Sequence, residues 1–453
     1  MRSRRVIRWL IFLIAISSLV MAGGLLVARS LKPAQQESLL NRLPAFLRPI
    51  ARSLMLPDHP DTVSTPFARA TADVASLLTP RSVSTRSQAS TDTPLPTSSR
   101  TSTPTPAPGA TLQSTRLAFA PHTLTPVAPP GPTQAARSTP ASLDTADVLL
   151  TGFRHVYQTW NNCGPATLSM NLSFYGWPGG QADAADFLKP DREDKNVSPD
   201  QMVAFAQSAG FEALARMNGS ISKIRQFLEA GVPIIVEKGF EPNPDDGWEG
   251  HYELIVGYDD ARQEFIAMDS YTGPNQSVPY RQLDWYWSHF NRTYIVVFTP
   301  VQADAVRQLL GPDIDPESNI ACALAVAQAE ASAHPDNPFA WFNVGSSFVA
   351  LNEYESAAVA YDQARALGLP WRMTWYQFGM FEAYLRAGRL DDVMTLADAT
   401  LSITPYIEEL WYYRGLVHRA RGELDTARRQ FEQALVYNAN FKPAAEALAT
   451  LGQ

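Results

Sequence analysis

An α+β domain followed by an all-α solenoid is the fold class that three features of this chain predict. Between residues 163 and 230 apolar residues recur at helical spacing. Between 232 and 298 they recur with a period of two, in short runs bounded by Gly, Pro, Asn and Asp. Beyond 301, Trp341, Gly345, Phe348, Ala357, Tyr361 and Ala364 return as Trp411, Gly415, His418, Ala427, Phe431 and Ala434, displaced by seventy residues, or two periods of about 35.

Four segments follow: an N-terminal signal anchor at 1–32, a Pro/Ser/Thr-rich linker at 33–148, the α+β domain at 149–300 and the repeat domain at 301–453. In the first segment Arg2, Arg4, Arg5 and Arg8 precede the uncharged run Trp9 to Val27, which Arg29 and Lys32 close. Nineteen residues at 1.5 Å each make roughly 28 Å of helix, enough for the ~30 Å hydrocarbon core, and the basic leader predicts a cytoplasmic N-terminus with the rest outside. A cleaved secretory signal is the competing reading, because Val20-Met21-Ala22 resembles a small-residue cleavage site. Under either reading the globular part is exported, as a single-pass membrane protein or as a secreted one. More than half of residues 91–140 are Pro, Ser or Thr, a composition that buries too little apolar surface to fold and predicts a stalk. Within the linker, Leu39 to Leu56 sets Arg42, Arg48 and Arg52 among leucines and reads either as an amphipathic surface helix or as more linker.

In the α+β domain Pro165 suits the first turn of a helix, Leu168, Leu172 and Tyr175 follow on one face, and Gly176 ends it. Ser198 caps a second helix with Pro199 at its start, Met202, Phe205 and Ala206 inward and Gly210 as terminator. A third runs from about Ser222 to Ala230. Val232 to Glu237, His251 to Tyr258, Glu264 to Asp269 and Thr293 to Phe298 read as strands, with Asp259-Asp260-Ala261-Arg262 as a hairpin turn. Trp285, Tyr286, Trp287 and Phe290 form an aromatic cluster on a helix after Pro279, read as core rather than as a substrate wall. Gly239 to Gly250 is a long loop that could cover a site, with Asp245 and Asp246 available to a basic substrate. In the repeat domain a weaker unit carries Tyr384, Gly388, Val393 and Pro405. Ala321 to Ala333 and Pro443 to Leu451 read as capping helices, and Cys322 is expected to pack in the first of these.

Charge and cysteine content narrow the function. Residues 1–150 hold 15 Lys+Arg against 7 Asp+Glu, a net +8, so the remainder carries 37−15 = 22 against 45−7 = 38, a net −16. An acidic globular part repels phosphate backbones, which argues against nucleic acid as a partner. Two cysteines in different domains make no disulfide framework. No phosphate-binding Gly-rich Lys motif occurs, and the reading calls for no cofactor and no metal.

Cys163 stands out because it starts a helix, where unpaired N–H groups and the peptide dipoles favour negative charge. A free thiol titrates near ~8.5, whereas one paired with imidazole can fall to ~3–4. His251 begins a strand about ninety residues later, and Asp269 ends the strand that follows, placed to accept the imidazole's second hydrogen bond. Gln158, five residues before the sulfur, could donate its amide to an oxyanion beside the Cys163 backbone N–H, with Asn161 or Asn162 as alternatives. His155 and His289 read as structural.

The run Gln158 to Ala166, the Gly250-His251 strand and Asp269 resemble the bacteriocin-processing cysteine peptidases of the papain clan, the double-glycine leader peptidases and their relatives. The resemblance implies a papain-like fold over about 150–300, with Cys163 as nucleophile, His251 as base, Asp269 as orienting acid and Gln158 as oxyanion donor. The repeat domain resembles tetratricopeptide arrays, which implies a concave surface for a peptide or protein partner. The expected protein is a membrane-anchored extracytoplasmic cysteine peptidase acting on a peptide or protein substrate. Two other readings stand beside it: a noncatalytic surface scaffold with a degenerate papain-like domain, and an acyltransferase or amidase on the same triad.

Overall fold

The computed structural model describes residues 146–242 and 247–451, with shorter stretches before them that include 27–32, 47–55, 61–66, 74–78 and 139–140. Nearly all of the proposed membrane run and most of the Pro/Ser/Thr-rich stretch lie outside the described residues. Among the described residues no helix is long and apolar enough to cross a membrane. Helix α1 (Arg48–Met55) falls inside the stretch read as an amphipathic helix or linker, and its Met55 is buried against Ala28 and Leu40.

The α+β region is built on one antiparallel sheet. Its strands are β1 (Thr139–Pro140), β2 (Val148–Leu149), β3 (Glu212–Arg216), β4 (Ile234–Phe240), β5 (Glu249–Asp259), β6 (Glu264–Asp269), β7 (Gly273–Pro279) and β8 (Tyr294–Phe298). The order across the sheet is β1-β7-β6-β5-β4-β8-β3, with β2 added to β5. Alternation decides which way each side chain faces. From β5 and β8, Leu254, Val256, Ile295 and Val297 meet helices α2 (Cys163–Phe174), α3 (Gln181–Leu188) and α4 (Pro199–Ser208) on one face. Ile255, Tyr294, Val296 and Phe298 meet α5 (Ile221–Glu229), α6 (Tyr280–Ser288) and α7 (Ala303–Leu310) on the other. With both faces covered, each fully buried aliphatic or aromatic side chain contributes about 1.5–3 kcal/mol.

Local chemistry explains the boundaries. The Ser198 hydroxyl accepts from the Gln201 N–H while the Gln201 side chain accepts from the Ser198 N–H, a reciprocal cap that fixes the start of α4. Helix α5 begins one residue earlier than expected, at Ile221, because Ser220 caps it through the Lys223 N–H. The β5–β6 turn closes when Asp259 accepts the Arg262 N–H and Gln263 takes a positive φ of 56°. Trp287 is fully buried and its indole N–H donates to the Thr293 carbonyl at 2.6 Å, so the aromatic cluster is core. Strands β3 and β7 and helix α3 had no counterpart among the sequence expectations.

The C-terminal part is a row of antiparallel helices: α8 (Pro316–Ala333), α9 (Pro338–Ala350), α10 (Tyr354–Leu367), α11 (Gly379–Arg386), α12 (Leu390–Ile403), α13 (Glu408–Ala420), α14 (Leu424–Tyr437) and α15 (Lys442–Thr450). The seventy-residue displacement seen in sequence recurs in the contacts. The Trp341 indole donates to the Pro335 carbonyl at 2.9 Å and the Trp411 indole to the Pro405 carbonyl at 2.8 Å. A side chain at Gly345 would strike the Tyr361 ring, and one at Gly415 the Phe431 ring, so glycine lets each helix pair close on its aromatic. Cys322 corrects one expectation: it lies on α8 but is exposed, because Ala323 and Ala327 take the buried face.

The two regions share a bonded interface. Asn291 donates to the Ser347 hydroxyl at 3.1 Å, Asn343 to the Ser288 carbonyl at 2.7 Å, and Gln377 to the His289 carbonyl at 3.1 Å. Trp248 sits among Phe290, Phe339 and Tyr376. Residues from the stretch read as a stalk also touch the helices: Val63 is buried and donates its N–H to the Leu369 carbonyl at 2.9 Å, and buried Leu77 accepts from Gln328 at 2.6 Å.

Candidate active site

Helix α2 runs through the middle of the α+β region and is buried from Gly164 to Ser173. Cys163 is its first residue. Asn162, at the cap, does not bond the helix with its side chain but donates to Thr159 Oγ1 at 2.9 Å, so the first-turn N–H groups are left for a ligand. Thr167 anchors the helix to β5 by donating to the Tyr252 carbonyl at 3.1 Å.

His251 lies on β5 opposite Lys238 of β4, its ring stacked on Phe240 with centroids 4.5 Å apart. Asp269 ends β6, and its Oδ2 is 2.7 Å from His251 Nε2. The other carboxylate oxygen accepts the Tyr271 and Thr272 N–H groups at 2.7 and 2.6 Å, which fixes the carboxylate plane. With Nε2 committed to Asp269, Nδ1 is left for Cys163, which lines the same pocket as the ring. Cys163, His251 and Asp269 are thus brought together.

Electrostatics favour a charged pair. Burial acts to lower the His251 pKa, but the charge and hydrogen bond of Asp269, with the neighbouring Cys163, outweigh it and push it up to about 10. Burial acts to raise Asp269, yet the charge and hydrogen bond of His251, the charge of Lys238 and the Thr272 N–H hold it well below the usual carboxylate range.

Gln158 is tied to the residue after Asp269. Its N–H donates to the Ser270 carbonyl at 2.8 Å and its Oε1 accepts from Ser270 Oγ at 2.8 Å. Its amide Nε2 has no partner among the described residues. Asn161 lines the pocket, but its amide donates to the Glu193 carbonyl at 3.3 Å, and that of Asn162 goes to Thr159. Gln158 itself does not line the pocket.

The other two histidines of this region have separate roles. His155 Nε2 bonds the Asp269 main-chain carbonyl at 2.9 Å. His289 is buried between the two regions, accepts from the Trp248 indole at 3.0 Å and stacks on Phe339, and burial lowers its pKa to about 3. Asp245 and Asp246, offered as contacts for a basic substrate, lie outside the described residues.

Several pocket residues were not foreseen: Lys195, Val197, Glu237 and Tyr376. Tyr376 comes from the helical part, so the site is walled by both regions. Ser270, which holds Gln158 through two hydrogen bonds, was also missed, and adjacency to the acid was its only signal; His155, read as structural, bonds the Asp269 main chain.

Residues 150–296 match the model of the Peptidase_C39 like family. No curated protein matches the chain. Among solved structures, a Bacillus anthracis protein described as a C39-like peptidase aligns with 15% identity and a TM-score of 0.28 over 34% of this chain and 97% of its own. A double glycine motif protease from an AMS/PCAT transporter, solved with its leader peptide, aligns with 15% identity and a TM-score of 0.26 over 33% of this chain and 94% of its own. The matched segment, 150–296, spans every one of Gln158, Cys163, His251 and Asp269.

Proposed function

We propose that the chain is a cysteine peptidase that hydrolyses peptide bonds through Cys163, His251 and Asp269. One observation carries the reading: a thiol at the N-terminus of a buried helix shares one pocket with an imidazole whose far nitrogen is held by a carboxylate. The thiolate attacks the scissile carbonyl carbon, forming a C–S bond and placing charge on the carbonyl oxygen. The Cys163 N–H stabilises that charge, and the resemblance adds the Gln158 amide, which must swing in from outside the pocket lining to reach it. As the C–N bond breaks, His251 gives its proton to the leaving amine, and the acyl group stays on sulfur. Water then attacks the thioester, passing a proton back to His251 and releasing the acid.

In the same proposal residues 1–32 tether the enzyme to a membrane with its globular part outside, and the helix pairs are tetratricopeptide repeats that hold a protein partner. Cys163→Ala in the full chain is expected to abolish cleavage of casein or a peptide library. Unchanged hydrolysis in that variant would falsify the peptidase reading.

A further inference from the structure

Beside the nucleophile lies a cation that the proposed hydrolysis does not use. Lys195 lines the Cys163 pocket, its ammonium 4.6 Å from the centroid of the Trp160 ring and 5.5 Å from that of Trp375, the latter on the 3-10 turn Trp371–Trp375 of the helical part. An ammonium carries three donors. Here the one hydrogen bond it makes among the described residues is a long one, 3.4 Å to Asn161 Oδ1. The neighbouring carboxylates bond elsewhere and reach Lys195 only through their charge: Glu193 accepts the Trp160 indole N–H at 3.0 Å, and Glu249 pairs with Arg372 at 3.2 Å. Burial pushes the pocket's own carboxyl, Glu237, up to about 8, so it is mostly uncharged near neutral pH. Lys195 thus lines the reaction pocket flanked by aromatic rings, with no carboxylate at ion-pair distance among the described residues; burial outweighs the charges of Glu193 and Glu249 and lowers its pKa to about 8, so it stays mostly charged near neutral pH.

We infer that Lys195, set between Trp160 and Trp375, is a subsite for a carboxylate of the substrate close to the scissile bond. The inference rests on the peptidase reading for its substrate class. A peptide supplies a carboxylate from an Asp or Glu side chain or from its own C-terminus, and either would complete the ammonium's bonding while its neighbouring backbone lies against Cys163. The surrounding domain is acidic, so a cation in the pocket selects among substrates instead of collecting anions generally.

Binding can be read without turnover, in the full chain carrying Cys163→Ala, through the fluorescence of Trp160 and Trp375. Peptides differing only as Glu or Gln at one position, and as free or amidated C-terminus, separate the two sources of carboxylate. The carboxylate form is expected to bind about 10- to 100-fold more tightly, the range for a hydrogen bond to a charged group. Adding Lys195→Met should remove that preference, Lys195→Arg should keep it, and Lys195→Glu should turn it toward Lys-bearing peptides. Equal binding of charged and neutral peptides, or a preference that survives in Lys195→Met, overturns the subsite. Loss of turnover with the binding preference intact would instead count against the peptidase reading alone.

Discussion

Asp269 does more for the imidazole than aim it. Its carboxylate sits 2.7 Å from Nε2, and its charge and hydrogen bond outweigh burial and, with Cys163, push the ring's pKa up to about 10. Asp269→Asn keeps the shape and removes the charge. The expected result is a fall in kcat of about 10²- to 10⁴-fold, with the alkaline limb of the rate profile moving down from about 10 toward the ordinary histidine range. An unmoved limb would mean that Asp269 does not set the His251 charge. The linkage has a sign as well. A His251 pKa raised on folding adds stability that is complete below about 6.5 and is lost as pH climbs through 10. The depressed Asp269 adds stability above about 3.9 that is lost on acidification. At this scale Cys163, His251 and Asp269 were readable because their types and order carry chemistry. Lys195 was not, since its meaning depends on a tryptophan 180 positions later.

Among the elements, β5 has the narrowest tolerance. A methyl group at Gly250 would stand 2.9 Å from the Tyr376 ring and 3.0 Å from that of Phe290, so strand and helical part touch through a residue without a side chain. Gly250→Ala is expected to destabilise the chain by about 1–3 kcal/mol, the cost of overfilling a packed contact, and to lower the thermal midpoint measured by calorimetry. An unchanged midpoint would show that the interface gives way freely. Capped helices and the apolar strands were legible in sequence, because Ser198-Pro199 and runs such as Tyr294–Phe298 state their periods locally. Strand β7, Gly-Pro-Asn-Gln-Ser-Val-Pro, was illegible for the opposite reason. Its composition is that of a turn, and only pairing with β6 and β1 makes it a strand. Strand β3, Glu-Ala-Leu-Ala-Arg, favours helix by propensity, and its pairing with β8 overrides that.

Across the whole molecule the two regions meet over buried acid groups. Asp194 lies against Glu408 and Glu409 of α13, where Asn438 donates to Glu408 at 2.7 Å and Asn196 to Glu409 at 3.0 Å. Burial raises all three carboxyls above their ordinary values. A carboxyl raised on folding gives stability that is present below its unfolded pKa and lost as pH rises through the folded one. The thermal midpoint should therefore fall between about pH 5 and 8, Glu237 at about 8 and His251 adding to the decline, and Glu408→Gln with Glu409→Gln should flatten it. A midpoint that climbs over that range, or an equal slope in the double variant, would contradict the assignment. The sequence displayed the division into regions through its two periods. It could not display their contact, which is made by residues scattered from Val63 to Asn438.

The pocket wall drawn from both regions has an evolutionary corollary. Under the proposed function, a lineage that changed its substrate preference could not do so by editing one stretch of gene, because Lys195 of the pocket and Trp160 beside it are encoded far upstream of Tyr376 of the pocket and of Trp375, which also flanks Lys195. Substitutions at those four positions should arrive in correlated sets across related sequences. Exchanging the catalytic half between paralogues while keeping the helical half should yield hybrids whose selectivity matches neither parent.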